Sequence, residues 1–109
     1  MAATRKVLAQ SNPVAATLTD VYTVPGATST VVSSITVANR SATPTNYRIS
    51  VAVAGAVDAN QQYIAYDLPI AANRTHSLTL GLTLAATDKL RVYATLATLS
   101  FNIFGEELV

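Results

Sequence analysis

Between Asn46 and Ala54 the chain alternates almost without a break: Tyr47, Ile49, Val51 and Val53 fall on one side, Asn46, Arg48, Ser50, Ala52 and Ala54 on the other. A period of two is that of a pleated strand with one covered face. A helix would bring Tyr47 and Val51 together but carry Ile49 to its far side. The same period predicts strands over Leu18–Val24, Thr30–Asn39, Gln62–Leu68, Thr75–Leu82, Lys89–Thr95 and Leu99–Gly105, with a short first strand over Arg5–Gln10. Within them Val31, Ile35 and Val37 are expected to share a face, as are Leu78, Leu80 and Leu82, then Leu90, Val92 and Ala94, and finally Leu99, Phe101 and Ile103.

Turn chemistry separates these segments. Ser11-Asn12-Pro13 closes the first, and Pro25-Gly26 follows the second: the proline presets its own backbone angle and the glycine can take a positive one. Polar loops are expected from Asn39 to Pro44 and from Gly55 to Gln61. Alanine is abundant, so helix has to be weighed at Val14–Leu18 and Leu82–Ala86, but each is far shorter than a mean helix of about 11 residues. One turn of helix is the most either predicts.

Seven to eight short, mostly antiparallel strands with regular turn signals predict an all-β chain, a β-sandwich with jelly-roll-like or immunoglobulin-like connections. The 109 residues suit one domain: residues 1–17 as an N-terminal segment, an arm or a first strand, ahead of a sandwich over 18–109.

Composition changes the picture at one point. Charged residues make up 12% of the chain, against roughly 25% in soluble domains, while there are 19 Ala, 15 Thr and no Trp. A solitary domain would have to clothe itself in Thr, Ser, Asn and Ala. A domain covered by copies of itself or by a partner would not, and interface cores are poor in charge. The net charge of +1 has no basic stripe, since Arg5 and Lys6 are adjacent but Arg40, Arg48, Arg74, Lys89 and Arg91 are scattered. Specific binding to nucleic acid or to an acidic membrane is therefore not expected. No signal peptide and no stretch near the roughly 20 apolar residues of a bilayer span is read from the chain. With no cysteine there is neither a disulfide nor a thiolate metal site.

The residues that could carry chemistry do not assemble into a pattern, so no catalytic, cofactor-binding or metal-binding residue is assigned. His76 is the lone imidazole and is expected at a sheet margin as a hydrogen-bonded strand residue. Asp20, Asp58, Asp67 and Asp88 are dispersed and suited to holding turn amides. Asp58-Ala59-Asn60-Gln61 lacks the oxygen spacing of a calcium loop, and four glycines make no phosphate cradle. Asn39-Arg40-Ser41 and Asn73-Arg74-Thr75 match the glycosylation acceptor pattern but are read as exposed turns. Tyr63 and Tyr66, three apart, should face opposite ways in a strand, one inward and the other free to stack on a sugar or enter an interface.

The stretches Val21-Tyr22-Thr23-Val24-Pro25-Gly26, Val31 to Ser41, Tyr63-Ile64-Ala65-Tyr66-Asp67-Leu68-Pro69-Ile70 and Leu99-Ser100-Phe101-Asn102-Ile103-Phe104-Gly105 together resemble small β-rich structural proteins of tailed bacteriophages, over about residues 18 to 105. That group includes capsid decoration or cement subunits and small tail, neck or baseplate components. The resemblance implies a non-enzymatic virion protein, made in the host cytoplasm and partnered by its own copies and by the major capsid protein or tail proteins. A host-glycan-binding adhesion module is the competing reading.

Overall fold

The computed structural model describes residues 2–109. Its strands are β1 (Ala3–Ser11), β2 (Thr19–Thr23), β3 (Ser29–Asn39), β4 (Thr45–Ala52), β5 (Tyr63–Ile70), β6 (Thr75–Leu78), β7 (Leu82–Leu84), β8 (Lys89–Ala94) and β9 (Leu99–Leu108). Two single turns of 3-10 helix, Val53–Gly55 and Asn60–Gln62, are the only helical residues among those described. The two alanine-rich candidates are not helical: Ala15 and Ala16 form a turn, and Leu82–Leu84 is a strand.

One sheet runs in the order β1-β9-β3-β6, with β7 also on β3, and the other runs β2-β8-β4-β5. Every pairing is antiparallel. The first half of the chain pairs with the second: β1 with β9, β2 with β8, β3 with β6 and β7, β4 with β5. The chain is thus one long hairpin, rolled until β9 also reaches β3 and β8 also reaches β4. That is a jelly roll, and it decides between the two connections left open by the sequence. An immunoglobulin-like sandwich pairs several strands that are neighbours in sequence, whereas here only β4 and β5 are.

Between the sheets lies an apolar core of fully buried side chains, the largest being Tyr47, Phe101, Ile35, Ile49, Ile70 and Leu90. At one end of the sandwich the connections 12–18, 40–44, 71–74 and 95–98 are laced by backbone bonds such as Ala16 N–H to Ala94 O and Asn73 N–H to Ser41 O. At the other, Val24 and Thr87–Asp88 exchange backbone bonds, and Ala2 and Val109 pair with each other.

Four local expectations fail, each where alternation is interrupted. In β3 the register to β9 slips between Val32 and Ser34. The extra residue, Ser33, flips the preceding segment, so Thr30 and Val32 join Ile35 and Val37 in the core while Val31 turns outward. In β4 Ser50 and Ala52 are buried as well as Tyr47 and Ile49, the second 3-10 turn packs on the strand, and Val53 is exposed. The single strand expected over Thr75–Leu82 is two, β6 and β7, broken at 79–81 where Gly81 takes φ 61°; Leu80 is exposed and shares no face with Leu78 and Leu82. At the Pro25 turn the positive angle belongs to Ala27 (φ 54°), not Gly26.

Candidate interaction surfaces

The titratable side chains are paired off rather than gathered. His76 lies in β6, half-buried at the margin of the sheet, with Nδ1 2.9 Å from the hydroxyl of Tyr47. Burial pushes the Tyr47 phenol up to about 12, so it stays protonated there. Asp20 accepts from Lys89 Nζ at 3.0 Å and from Arg91 Nε at 2.7 Å, and these bonds hold its carboxyl below the usual range. Asp88 is buried and does what a turn aspartate is expected to do: its two oxygens each accept a backbone N–H, from Ala54 and Ala85, at 2.9 Å. Among the described residues no three His, Cys, Asp or Glu side chains converge as a metal site would require.

Of the two acceptor-pattern asparagines, Asn73 sits in an exposed turn but Asn39 does not. Asn39 is buried at the end of β3, where its amide donates to Thr43 O (2.9 Å) and Ala71 O (3.2 Å). It ties the β3–β4 and β5–β6 connections together. Nothing in the triplet distinguishes that role, because the acceptors lie 4 and 32 residues away.

The outer face of the β2-β8-β4-β5 sheet carries charge and aromatic rings. Arg48 of β4 is sandwiched between Tyr66 and Tyr93, 4.2 and 4.4 Å from the ring centroids, and pairs with Asp67 at 2.7 Å. Tyr63 and Tyr66 do not face opposite ways. β5 slips against β4 at Ile64, so both rings emerge on this face and meet edge-on at 5.1 Å. With Asn60 they line a depression of about 340 Å³. Arg48 and Tyr63 already occupy two approaches to the Tyr66 ring, so this corner is committed largely to the protein's own contacts.

The outer face of the other sheet is different in kind. Register places Ser100, Ala38 and Thr75 in one outward row, Gln10, Asn102, Thr36 and Ser77 in the next, and Val7, Phe104 and Ser34 in a third. Three rows across four strands hold no charge at all. The inward neighbours Ile35, Val37, Phe101 and Ile103 are fully buried, which fixes these residues as the outward set. The third row opens into a shallow groove of about 470 Å³ whose apolar wall is Val7, Val31 and Phe104, with Arg5, Lys6 and Glu106 at its far rim. The next outward row, Arg5, Glu106 and Val31, carries charge again, so the charge-free area is these three rows.

Glu107, on the inner side of β9, ties the end of that strand to the other sheet. Its carboxylate accepts from Lys6 Nζ at 2.8 Å and from the Tyr22 hydroxyl, which also bonds Thr30 Oγ1 at 2.9 Å. The Lys6 bond first, then the Tyr22 bond, holds the Glu107 carboxyl below its ordinary value of 4.5. A depressed carboxylate contributes stability that is present above the unfolded value and is lost as pH falls through the folded one. Stability should thus decline below about pH 4.5, and a Glu107→Gln variant should show a shallower acid limb in urea unfolding measured from pH 6 to 3. An unchanged slope would mean that the cluster does not bind the β1–β9 ribbon to β2.

No family model matches the chain, and no curated protein matches it. Among solved structures it is similar to a pentameric capsid protein isolated from metagenomic phage sequences, at 19% identity and a TM-score of 0.39, over 86% of this chain and 56% of that one. The chain thus spans a little over half the length of that protein.

Proposed function

We propose that the protein is a non-enzymatic structural subunit of a bacteriophage particle, a decoration or cement protein that packs through the three charge-free outward rows of the β1-β9-β3-β6 sheet against its own copies and the major capsid protein. The observation that carries this reading is that face. Ten outward positions in three rows, from Ser100 to Ser34, present hydroxyls, amides, an alanine and two large apolar groups without a single ion. A face destined for water has no reason to exclude charge, whereas the buried centre of an interface does. The sequence resemblance to tailed-phage structural proteins supports the same reading, as does the jelly roll, an architecture that capsid domains use along with lectins.

The mechanism is burial. A stable contact needs about 800 Å² per partner, and a repeated lattice multiplies a modest contact over many copies. Tail, neck or baseplate placement would use the same kind of contact on a different scaffold. Imaging of purified particles separates the two: copies on the capsid lattice support decoration, copies on the tail axis move the assignment, and virions wholly lacking the chain overturn it.

Thr36 sits near the middle of the face, half-buried by its neighbours, and a lysine there adds a charge without entering the core. The Thr36→Lys variant should sediment as a monomer where the wild type sediments as an oligomer, with unfolding free energy unchanged within about 0.5 kcal/mol. A wild type that is itself monomeric at the concentrations of assembly would overturn self-association.

A further inference from the structure

β1 is a long edge strand whose N-terminal half lies outside the core. It pairs along one edge only, with β9. Ala3 to Val7 are all exposed, although successive side chains point to opposite faces, so neither face is covered there. Within the strand only Leu8 and Ala9 pack on the core. What specifies its position is polar and lies across the pair: Lys6 with Glu107 at 2.8 Å, Arg5 with Glu106 at 3.7 Å, and Gln10 Nε2 donating to Asn102 at 2.8 Å. Exposed ion pairs of this sort fix a register and add little to stability.

The connection to β2 supplies a second, independent observation. Asn12 is anchored, donating to Leu99 O at 3.0 Å, and Pro13 is buried, but the turn that follows holds Ala16 at φ 55°. An alanine in the left-handed region is strained by its Cβ against the following carbonyl. Short hinges under strain favour exchange of the flanking element between identical chains.

We infer that β1 is exchanged between neighbouring subunits, each β9 receiving the β1 of a second copy of this chain. This rests on the proposed self-association and specifies how it is made. The occupant is set by complementarity: Arg5 and Lys6 meet Glu106 and Glu107 only in the antiparallel register that β1 already has. On exchange every β1 contact is re-formed with the partner and residues 14–18 run extended, so Ala16 leaves its strained conformation and gives up its backbone bond to Ala94 O. Five extended residues span about 17 Å, so the exchange joins only subunits in direct contact.

The chain contains no cysteine, which makes the test direct. Arg5 and Glu106 are opposed across β1 and β9, at a separation of about 4.5–5.5 Å between Cα atoms that a disulfide can bridge. An Arg5→Cys, Glu106→Cys double variant, assembled and then oxidised, is expected to give covalently linked chains on a non-reducing denaturing gel, with the 5–106 linkage found between chains by peptide mapping. Adding Ala16→Gly, which removes the strain from the unexchanged form, should lower the linked fraction at least about fivefold. If the protein sediments as an oligomer but the disulfide lies entirely within chains, exchange is wrong and self-association stands. If it sediments as a monomer with the disulfide within chains, both fall. A linked fraction indifferent to Ala16→Gly removes the hinge from the account.

Discussion

A Phe101→Ala variant should lose about 3–5 kcal/mol of unfolding free energy, a large part of the 5–15 kcal/mol that a domain typically has. Phe101 is fully buried in β9, the strand that joins β1 to β3, and its ring meets Tyr47 edge-on with centroids 5.8 Å apart at 81°. Tyr47 in turn packs on His76 at 5.7 Å, so the ring removed is one end of a contact chain that crosses from one sheet to the other through Tyr47. The cost depends on how far the surroundings can collapse. They cannot collapse far: the chain has two Phe and no Trp, and Val37, opposite Phe101, is a stiff β-branched side chain on a strand paired on both sides. Phe104, three residues on, lies on the outer face and should cost about 1 kcal/mol or less on the same change. Urea unfolding checks both, through a midpoint shift at constant slope. Equal losses at the two positions would mean that the register of β9 is wrong.

The inward placement of Leu99, Phe101 and Ile103 was legible in the sequence, as were Leu90, Val92 and Ala94, because each run alternates strictly and carries no extra residue of its own. Where β2 slips beside β8 the extra residue is Val21, in β2. All six are fully buried. Where a strand slips, the signal fails for a physical reason. Ser33 is an ordinary strand residue, and its extra place in β3 is defined only by β9 opposite, some seventy positions along the chain. Ile64 in β5 is the same: it reads as one more alternating position, yet its slip against β4 turns Tyr63 to the face of Tyr66. Strand order is equally non-local. The alternation of β1 is identical whether β2 or β9 lies beside it, so jelly roll and immunoglobulin-like connections could not be separated before the pairing was seen.

The candidate surface was legible only as a deficit. A 12% charge content says that some surface is short of ions, not which. The answer needs the register of four strands from both ends of the chain, which brings Gln10, Thr36, Ser77 and Asn102 into one row. The charged residues that do exist then prove to be elsewhere, as Asp20 with Lys89 and Arg91, Arg48 with Asp67, and the Arg5–Lys6 and Glu106–Glu107 rim. Opposite charges in those places satisfy one another, leaving the neutral face as the part of the sheet surface with no partner of its own.

Gly105 shows what holds that face in shape. It pairs with Lys6 on one side and Val32 on the other, beside the slips at Leu8 in β1 and Ser33 in β3. Two flanking strands therefore each carry an extra residue at adjacent levels of the sheet, on either side of Phe104, and a bulge bends and twists its strand. Their backbones close over β9 at this point: a Cβ on Gly105 would lie far inside contact distance of the Val31 carbonyl oxygen and 2.8 Å from Leu8 Cδ1. Its φ is not in the left-handed region, so the requirement is for space and not for backbone freedom. The Leu8 side chain can move, but the Val31 carbonyl belongs to a central strand paired on both sides and cannot move without breaking its ladder. A Gly105→Ala variant should accordingly lose about 3 kcal/mol, at the upper end of what forcing one methyl into a packed site costs. Gly26 is the control, since a Cβ there meets nothing within 4 Å and its φ is not positive. Gly26→Ala should leave stability within about 0.5 kcal/mol of the parent or raise it slightly, by narrowing the unfolded ensemble. Thermal and urea unfolding of the pair decide the matter: if both variants are as stable as the parent, the two bulges do not meet at Gly105, and the neutral face is flatter than the register implies.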